Sequence, residues 1–338
     1  MRKHVQGIGK RVLTVSISLT IICLGVIIIS LNTGTIRLSP LTVLQTFLGY
    51  GSPQDAMVLF EFRLPRILIT MLAGIGLGIS GAILQGLSRN ALADPGILGL
   101  HAGASLGLIV FLTLFHSMNG ASSLLIPLFT FAGGVVTAFL IIMVAYDRYN
   151  GLLPIRLLLV GIAIAAGFNA ITLFLSLRLD ENTYSFASRW LIGNVWGRDW
   201  IHVYALLPWI VIFVPYALFR SKSLDAFSLG DEVAVSLGIP VRRQRLLLLA
   251  TAVALSCASV SMVGGVGFIG LVAPHLARRL VGPLHQYYLP IAGLVGLVIL
   301  VMADTIGRSL FQPNAIPAGV VVASVGAPYF LYLLIRTK

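Results

Sequence analysis

Runs of apolar residues separated by short polar or charged stretches recur along the whole chain, most of them close to the ~20 residues with which an α-helix at ~1.5 Å per residue crosses a ~30 Å hydrocarbon layer. Ten such runs predict ten helices, over residues 12–31, 67–87, 97–115, 124–145, 157–177, 201–219, 246–263, 266–276, 288–306 and 316–335. The eighth is too short to span alone. It is expected to be shielded by protein or to follow a re-entrant path, because unpaired backbone polar groups are not tolerated against lipid.

The longest polar interruption near the middle of the chain runs from Leu229 through Gly230, Asp231, Glu232 and Ala234 to Gly238 and Pro240, and Arg242, Arg243 and Arg245 follow. A short helix ended by a glycine and a proline, set between two membrane spans, reads as an element presented to a partner in the cytoplasm. A repeat is also visible. Gly96-Ile97-Leu98-Gly99-Leu100-His101-Ala102 opens the third span, and Gly267-Phe268-Ile269-Gly270-Leu271-Val272-Ala273 opens the eighth. Five spans separate the two copies, and an odd offset makes them enter from opposite faces, the inverted-repeat arrangement of many transporters. Weaker echoes pair Ala132-Gly133 with Ala292-Gly293, and Gly161 with Gly319.

Composition agrees with the pattern: 58% of the 338 residues are hydrophobic and 10% charged, against roughly 25% charged in average soluble domains. The net charge of +12 is a topology signal and does not imply nucleic-acid binding. With the amino terminus inside, 16 of the 23 Lys and Arg residues fall in cytoplasmic segments, leaving Arg37, Arg63, Arg66, Arg178, Arg189, Arg198 and Arg308 outside. By the positive-inside rule both termini are expected in the cytoplasm. The basic N-terminal stretch and its 20-residue apolar run read as a retained signal anchor. Cys23 and Cys257 lie inside spans, away from ligand-spaced partners, so neither a disulfide framework nor a metal site is expected. The four tryptophans, 190, 196, 200 and 209, fall in one window and are expected to anchor at the membrane interface.

The four lysines complete no Gly-rich phosphate-binding loop of the form G-x-x-x-x-G-K-[ST], so the chain is not its own P-loop ATPase and its energy must come from a partner or an ion gradient. A gradient-driven carrier holds several ionisable groups at mid-membrane. Here Asp304 is the only carboxylate well inside a span, and a local ion pair with Arg308 is expected to satisfy it. His101 and His275 are expected to be packing residues. No cluster of His, Asp or Ser near one face suggests a membrane-embedded enzyme.

Several motifs resemble those of FecCD-family permeases, the membrane subunits of ABC importers for iron-siderophore complexes, haem and vitamin B12. They are Arg63-Leu64-Pro65-Arg66, the stretch from Arg89-Asn90 through Asp94-Pro95 to Gly103-Ala104, Arg189 to Gly193, and Leu229 to Gly238. Phe268 to His275, Ala303-Asp304-Thr305 with Arg308, and Pro317 to Leu331 complete the set, so that the resemblance covers residues 63–334. The chain departs from the family pattern at Ala91, where a proline is usual, and at Ala315-Ile316, where Glu-Leu is usual.

The resemblance implies an all-α, polytopic fold of about ten transmembrane helices with an inverted repeat, the type II ABC importer permease. The whole chain then forms one domain: first helix and outer loop 1–66, repeat one 67–177, linking helix 201–219, cytoplasmic coupling loop 220–245 and repeat two 246–335. It implies a second permease subunit, two ABC ATPase subunits holding ATP and Mg, an extracytoplasmic binding protein, and a prokaryotic cell membrane around them. No cofactor is expected on this chain. Asp231, Glu232, Ala234 and Gly238, with the family's E-x-A-x-x-x-G spacing, are implied to couple to the ATPase. Arg63, Arg66 and Arg308 are implied to dock the binding protein, and Asn90 and Leu92 to form a cytoplasmic gate. An iron(III)-siderophore complex is the expected cargo, with vitamin B12 or haem as alternatives and an ion-coupled carrier as the competing class.

Overall fold

The computed structural model describes residues 2–34, 36–115, 124–148, 151–310 and 315–336. Its helices, in chain order, are α1 (Arg2–Asn32), α2 (Pro40–Phe47), α3 (Pro53–Ala56), a π-helical turn (Met57–Arg63), α4 (Leu64–Ser88), α5 (Leu100–Leu114), α6 (Leu125–Ala145), α7 (Pro154–Ser176), α8 (Glu181–Leu191) and α9 (Trp200–Phe219). There follow α10 (Ser221–Leu229), α11 (Asp231–Ser236), α12 (Val241–Val263), α13 (Ile269–Val281), α14 (His285–Ser309) and α15 (Ala318–Arg336). Each of the ten expected spans coincides with one of these helices. Eight are long and apolar enough to cross a membrane among the described residues, and α5 and α13 are the short pair. A small antiparallel pair, Tyr146↔Leu152 and Asp147↔Gly151, joins α6 to α7.

Helix α4 is the axis of the bundle, and small residues bring its neighbours onto it. A Cβ added at Gly74 would lie 2.5 Å from the carbonyl oxygen of Gly296 on α14. At Gly81 an added Cβ would overlap the carbonyl of Gly270 on α13. Between lipid-facing helices there is no hydrophobic drive, so such close backbone approach supplies the dispersion energy that holds the helices together. Ser80 adds an interhelical hydrogen bond, Oγ donating to the Ala252 carbonyl of α12 at 2.7 Å.

Helix α13 resolves the short eighth span. It is 13 residues long, about 20 Å, and Ile269, Leu271, Ala273 and Ala277 are buried, so protein rather than lipid surrounds it. Both short helices start at a left-handed residue, Gly99 (φ 89°) for α5 and Phe268 (φ 66°) for α13. Both start part-way along the bundle, α13 with Gly270 against Gly81 of α4 and α5 with Gly99 against Gly161 of α7. The helix starts are two residues closer together in sequence than the matched motifs are.

The tryptophans do not all anchor at the interface. Trp196 is exposed, but Trp190 is buried in the main core, Trp200 Nε1 donates to the Phe60 carbonyl at 2.9 Å, and Trp209 packs on Phe131 and Phe213. Residues 190–193 tuck against the turn at Gly264 and against Gly319, which carries Trp190 inward. Cys23 and Cys257 are buried and free, in separate apolar clusters.

Candidate functional site

At the Arg89 end of the bundle, Gly230 (φ 121°) separates α10 from α11. Asp231 begins α11, where the partial positive charge of a helix start favours a carboxylate. Its carboxylate is gripped by two arginines from other helices. Arg245 Nη2, from the first turns of α12, donates to both oxygens at 2.8 Å, and Arg89 Nη2, from the end of α4, donates to Oδ1. Asp231 therefore seats the short helix on its own chain.

The other three residues of the motif divide in a way that spacing alone does not disclose. Ala234 is 0% exposed and packs into the main core, so its smallness lets α11 lie flat on the bundle, not against a partner. Gly238 has open space around it, and its left-handed φ of 77° explains the glycine: its N–H donates to the Val235 carbonyl at 2.9 Å while Ile239 N–H donates to the Ala234 carbonyl at 3.1 Å. That is a glycine C-terminal cap, which a side chain would strain. Glu232 is exposed. Beside it stand Val233, Val235 (62% exposed) and Leu237 (63% exposed), and Leu229 on α10 is exposed as well. Sequence reasoning missed this apolar patch. Its signal was present as apolar residues alternating with polar ones in a segment too short to span a membrane.

The segment after α4 carries Asn90 and Leu92. Asn90 Oδ1 accepts from Leu92 N–H at 2.9 Å, and Ala93 N–H donates to the Asn90 carbonyl at 3.1 Å, a side-chain-closed turn that holds its shape without the proline usual at position 91. Behind it lies a cavity of about 370 Å³, lined chiefly by apolar side chains of α4, α6, α7 and α12, with Asn90 and Arg245 among the polar groups at its wall.

At the opposite end, Arg66 and Arg308 converge on Asp304, with Arg63 beside Arg308. Arg66 holds Asp304 bidentately, Nη2 to Oδ1 at 2.7 Å and Nε to Oδ2 at 2.9 Å, while Arg308 Nε lies 3.6 Å from Oδ2. The expected local pair with Arg308 is thus the weaker contact, because the fork of Arg66 reaches the carboxylate from α4 in the planar geometry that suits it. Arg63 donates to the carbonyls of Leu31 and Ile36, and Arg308 to the carbonyls of Thr33 (2.6 Å) and Ser30 and to Ser30 Oγ (2.6 Å). These carbonyls belong to the end of α1 and the turn after it, where helix geometry leaves acceptors without intrahelical donors. Arg63 is 6% exposed, and the side chains of Arg66, Arg308 and Asp304 are 18%, 10% and 3% exposed. The arginines are therefore brought together as the motif implies, but they direct donors into the chain and pin α1 to α4 and α14. Two guanidiniums, those of Arg66 and Arg308, face one carboxylate, and the third, Arg63, lies beside Arg308.

His101 and His275 both lie within the bundle, the latter edge-on to Tyr329 at 5.8 Å. Among the described residues no three His, Cys, Asp or Glu side chains come together as a metal site would require.

Comparison with known proteins adds three findings. The pattern of the FecCD transport family matches residues 21–336. The iron(3+)-hydroxamate import system permease protein FhuG of Bacillus subtilis (strain 168) is 43% identical over 317 residues, 93% of this chain and 94% of that protein, and the iron-uptake system permease protein FeuC of the same organism is 42% identical over 314 residues, 91% and 93%. A solved structure described as an inward-facing conformation of a metal-chelate type ABC transporter superposes with a TM-score of 0.82 at 29% identity, covering 95% of this chain and 98% of the other.

Proposed function

The chain belongs to the FecCD transport family, and on that premise we propose that it is the membrane-spanning permease of an ATP-driven importer whose cargo is an iron(III)-siderophore complex. The observation that carries the reading is the exposed apolar patch on α10 and α11. A membrane protein has no reason to present Leu229, Val235 and Leu237 to water beside a charged Glu232 unless a soluble partner covers them. ATPase subunits docking there supply the energy for which the chain has no phosphate loop of its own. The Arg89 end then faces the cytoplasm, in keeping with the excess of Lys and Arg on that side.

The Arg63 end faces out, toward a binding protein. The net positive cluster around Asp304 supports this, since a carboxylate offered by the docked protein would complete its neutralisation, with Arg66 the most accessible of the three arginines. Asn90 and Leu92 serve as the cytoplasmic constriction. A second permease completes the pathway, and α7 is suited to face it: Ala163, Ala166, Gly167, Asn169 and Ala170 are exposed along it, and an Asn amide left against lipid tails would be costly. An iron chelate is preferred to vitamin B12 or haem because the related permeases named above serve iron(3+)-hydroxamate import and iron uptake.

The test is the substitution Leu237→Asp. It puts a charge into the patch at a side chain that the described residues leave 63% exposed, so expression and thermal stability should match wild type. Co-purification of the ATPase subunits should fall at least about tenfold, since burying an unpaired charge at an interface costs several kcal/mol. Full association and uptake by Leu237→Asp would place the ATPase elsewhere.

A further inference from the structure

We propose that Arg89 is the positioning residue through which movement of α11 reaches the constriction segment beginning at Asn90, a role that rests on reading the chain as an ATP-driven permease. Arg89 closes α4 in the left-handed region, at φ 52°. A residue with a Cβ keeps that conformation only where its surroundings hold it.

Those surroundings are the coupling elements. The guanidinium leaves α4 altogether: Nε donates to the Phe227 carbonyl near the end of α10 at 2.6 Å, and Nη2 donates to Asp231 at the start of α11. One side chain thus grips both helices that carry the exposed patch. Its own backbone runs straight into Asn90, whose side chain closes the turn to Leu92. A rotation at residue 89 is therefore carried to Leu92.

The second arm of the link is Arg245, which holds the same carboxylate, stacks over the Phe227 ring at 5.6 Å, and lines the cavity behind the constriction segment. Displacing α11 pulls on the residue that begins the constriction segment and on a wall of the space into which that segment can move. The side chains of Arg89 and Asp231 are each close to half exposed, and ion pairs that wet add little to stability. The Arg89–Asp231 pair therefore fixes where α11 sits relative to the end of α4 while adding little to the stability of the chain as a whole.

The experiment compares wild type with Arg89→Gln in proteoliposomes containing permease, ATPase subunits and binding protein, recording ferric-siderophore uptake and ATP hydrolysis together. Loss of the link should raise the ATP hydrolysed per chelate imported by about tenfold, a common size for coupling between sites. Arg89→Lys keeps the cation but loses the fork that reaches Phe227 and Asp231 at once, and it should fall between the two. Adding Arg89→Gln to Asp231→Asn should change the ratio no further.

An unchanged ratio in Arg89→Gln, or defects that multiply in the double variant, overturns the proposal. Should Arg89→Gln fail to assemble, spin labels at positions 92 and 232 of an otherwise wild-type complex decide the matter. A separation that stays fixed through the ATP cycle supports a shared movement, and one that changes with nucleotide overturns it. Absence of ATP-dependent uptake by the wild-type complex would instead defeat the permease reading itself, so the two failures are distinguishable.

Discussion

Asp304→Ala is expected to destabilise the chain by about 3–5 kcal/mol, the usual consequence of removing one partner from a buried ion pair. The carboxylate is 3% exposed and is the anion between Arg66 and Arg308, with Arg63 beside Arg308. Without it, Arg66 loses both of its charge-assisted contacts, and the positive charges of Arg63, Arg66 and Arg308 repel one another in a poorly hydrated site. The guanidiniums cannot simply turn to water, because Arg63 and Arg308 are committed to the carbonyls at the end of α1. Loosening of α1 from α4 and α14 should follow. Asp304→Asn keeps the volume and one acceptor and should lose less. Arg66→Met, which leaves Asp304 beside Arg308, should lose less again. Thermal unfolding of the detergent-purified permease reads the series, and a midpoint in Asp304→Ala equal to wild type would refute the assignment of this cluster as a clamp.

Gly81→Val should be at least as damaging, for a reason with no charge in it. The added Cβ would overlap the backbone of Gly270, and no rotamer change relieves a clash with backbone. The helices must separate, surrendering dispersion contacts along the α4–α13 seam, and α13 is too short to remain in place unless protein encloses it. Overpacking typically costs ~1–3 kcal/mol when side chains can adjust. Here they cannot, and loss of folded protein is expected, visible as failure to recover a monodisperse species after extraction. Gly25→Val on α1 is the matched control, because nothing lies within 4 Å of a Cβ there. Equal recovery of the two variants would show that the central approach tolerates an added side chain.

The contrast between these sites explains how much could be read from residues alone. Ten helices were legible because hydrocarbon thickness fixes the length of an apolar run, and even the short α13 was recognisable as a helix needing protein around it. The segment from Leu229 to Pro240 was legible as a place, since polar residues, a glycine and a proline interrupt two spans. Its orientation was not: whether Ala234 or Leu237 faces outward depends on how α11 rolls on the bundle, and that is set by Asp231 meeting Arg89 and Arg245 from distant helices. The same limit applies to Asp304. Its i+4 neighbour Arg308 was the obvious partner, whereas the bidentate one, Arg66, lies 238 residues away. Trp190 was misread because interfacial chemistry is the usual reason for a tryptophan in a membrane chain, and only the inward fold of residues 190–193 buries it.

The central claim is that ATP hydrolysed on partner subunits drives a ferric chelate through this chain. The most direct measurement is uptake of a radiolabelled iron(III)-siderophore into proteoliposomes, with ion gradients collapsed by ionophores, in the presence and absence of the ATPase subunits, ATP and the binding protein. The account predicts accumulation only when all of them are present, at a rate indifferent to the ionophores. Accumulation by the permease alone, driven by a proton or sodium gradient without ATP, would contradict it.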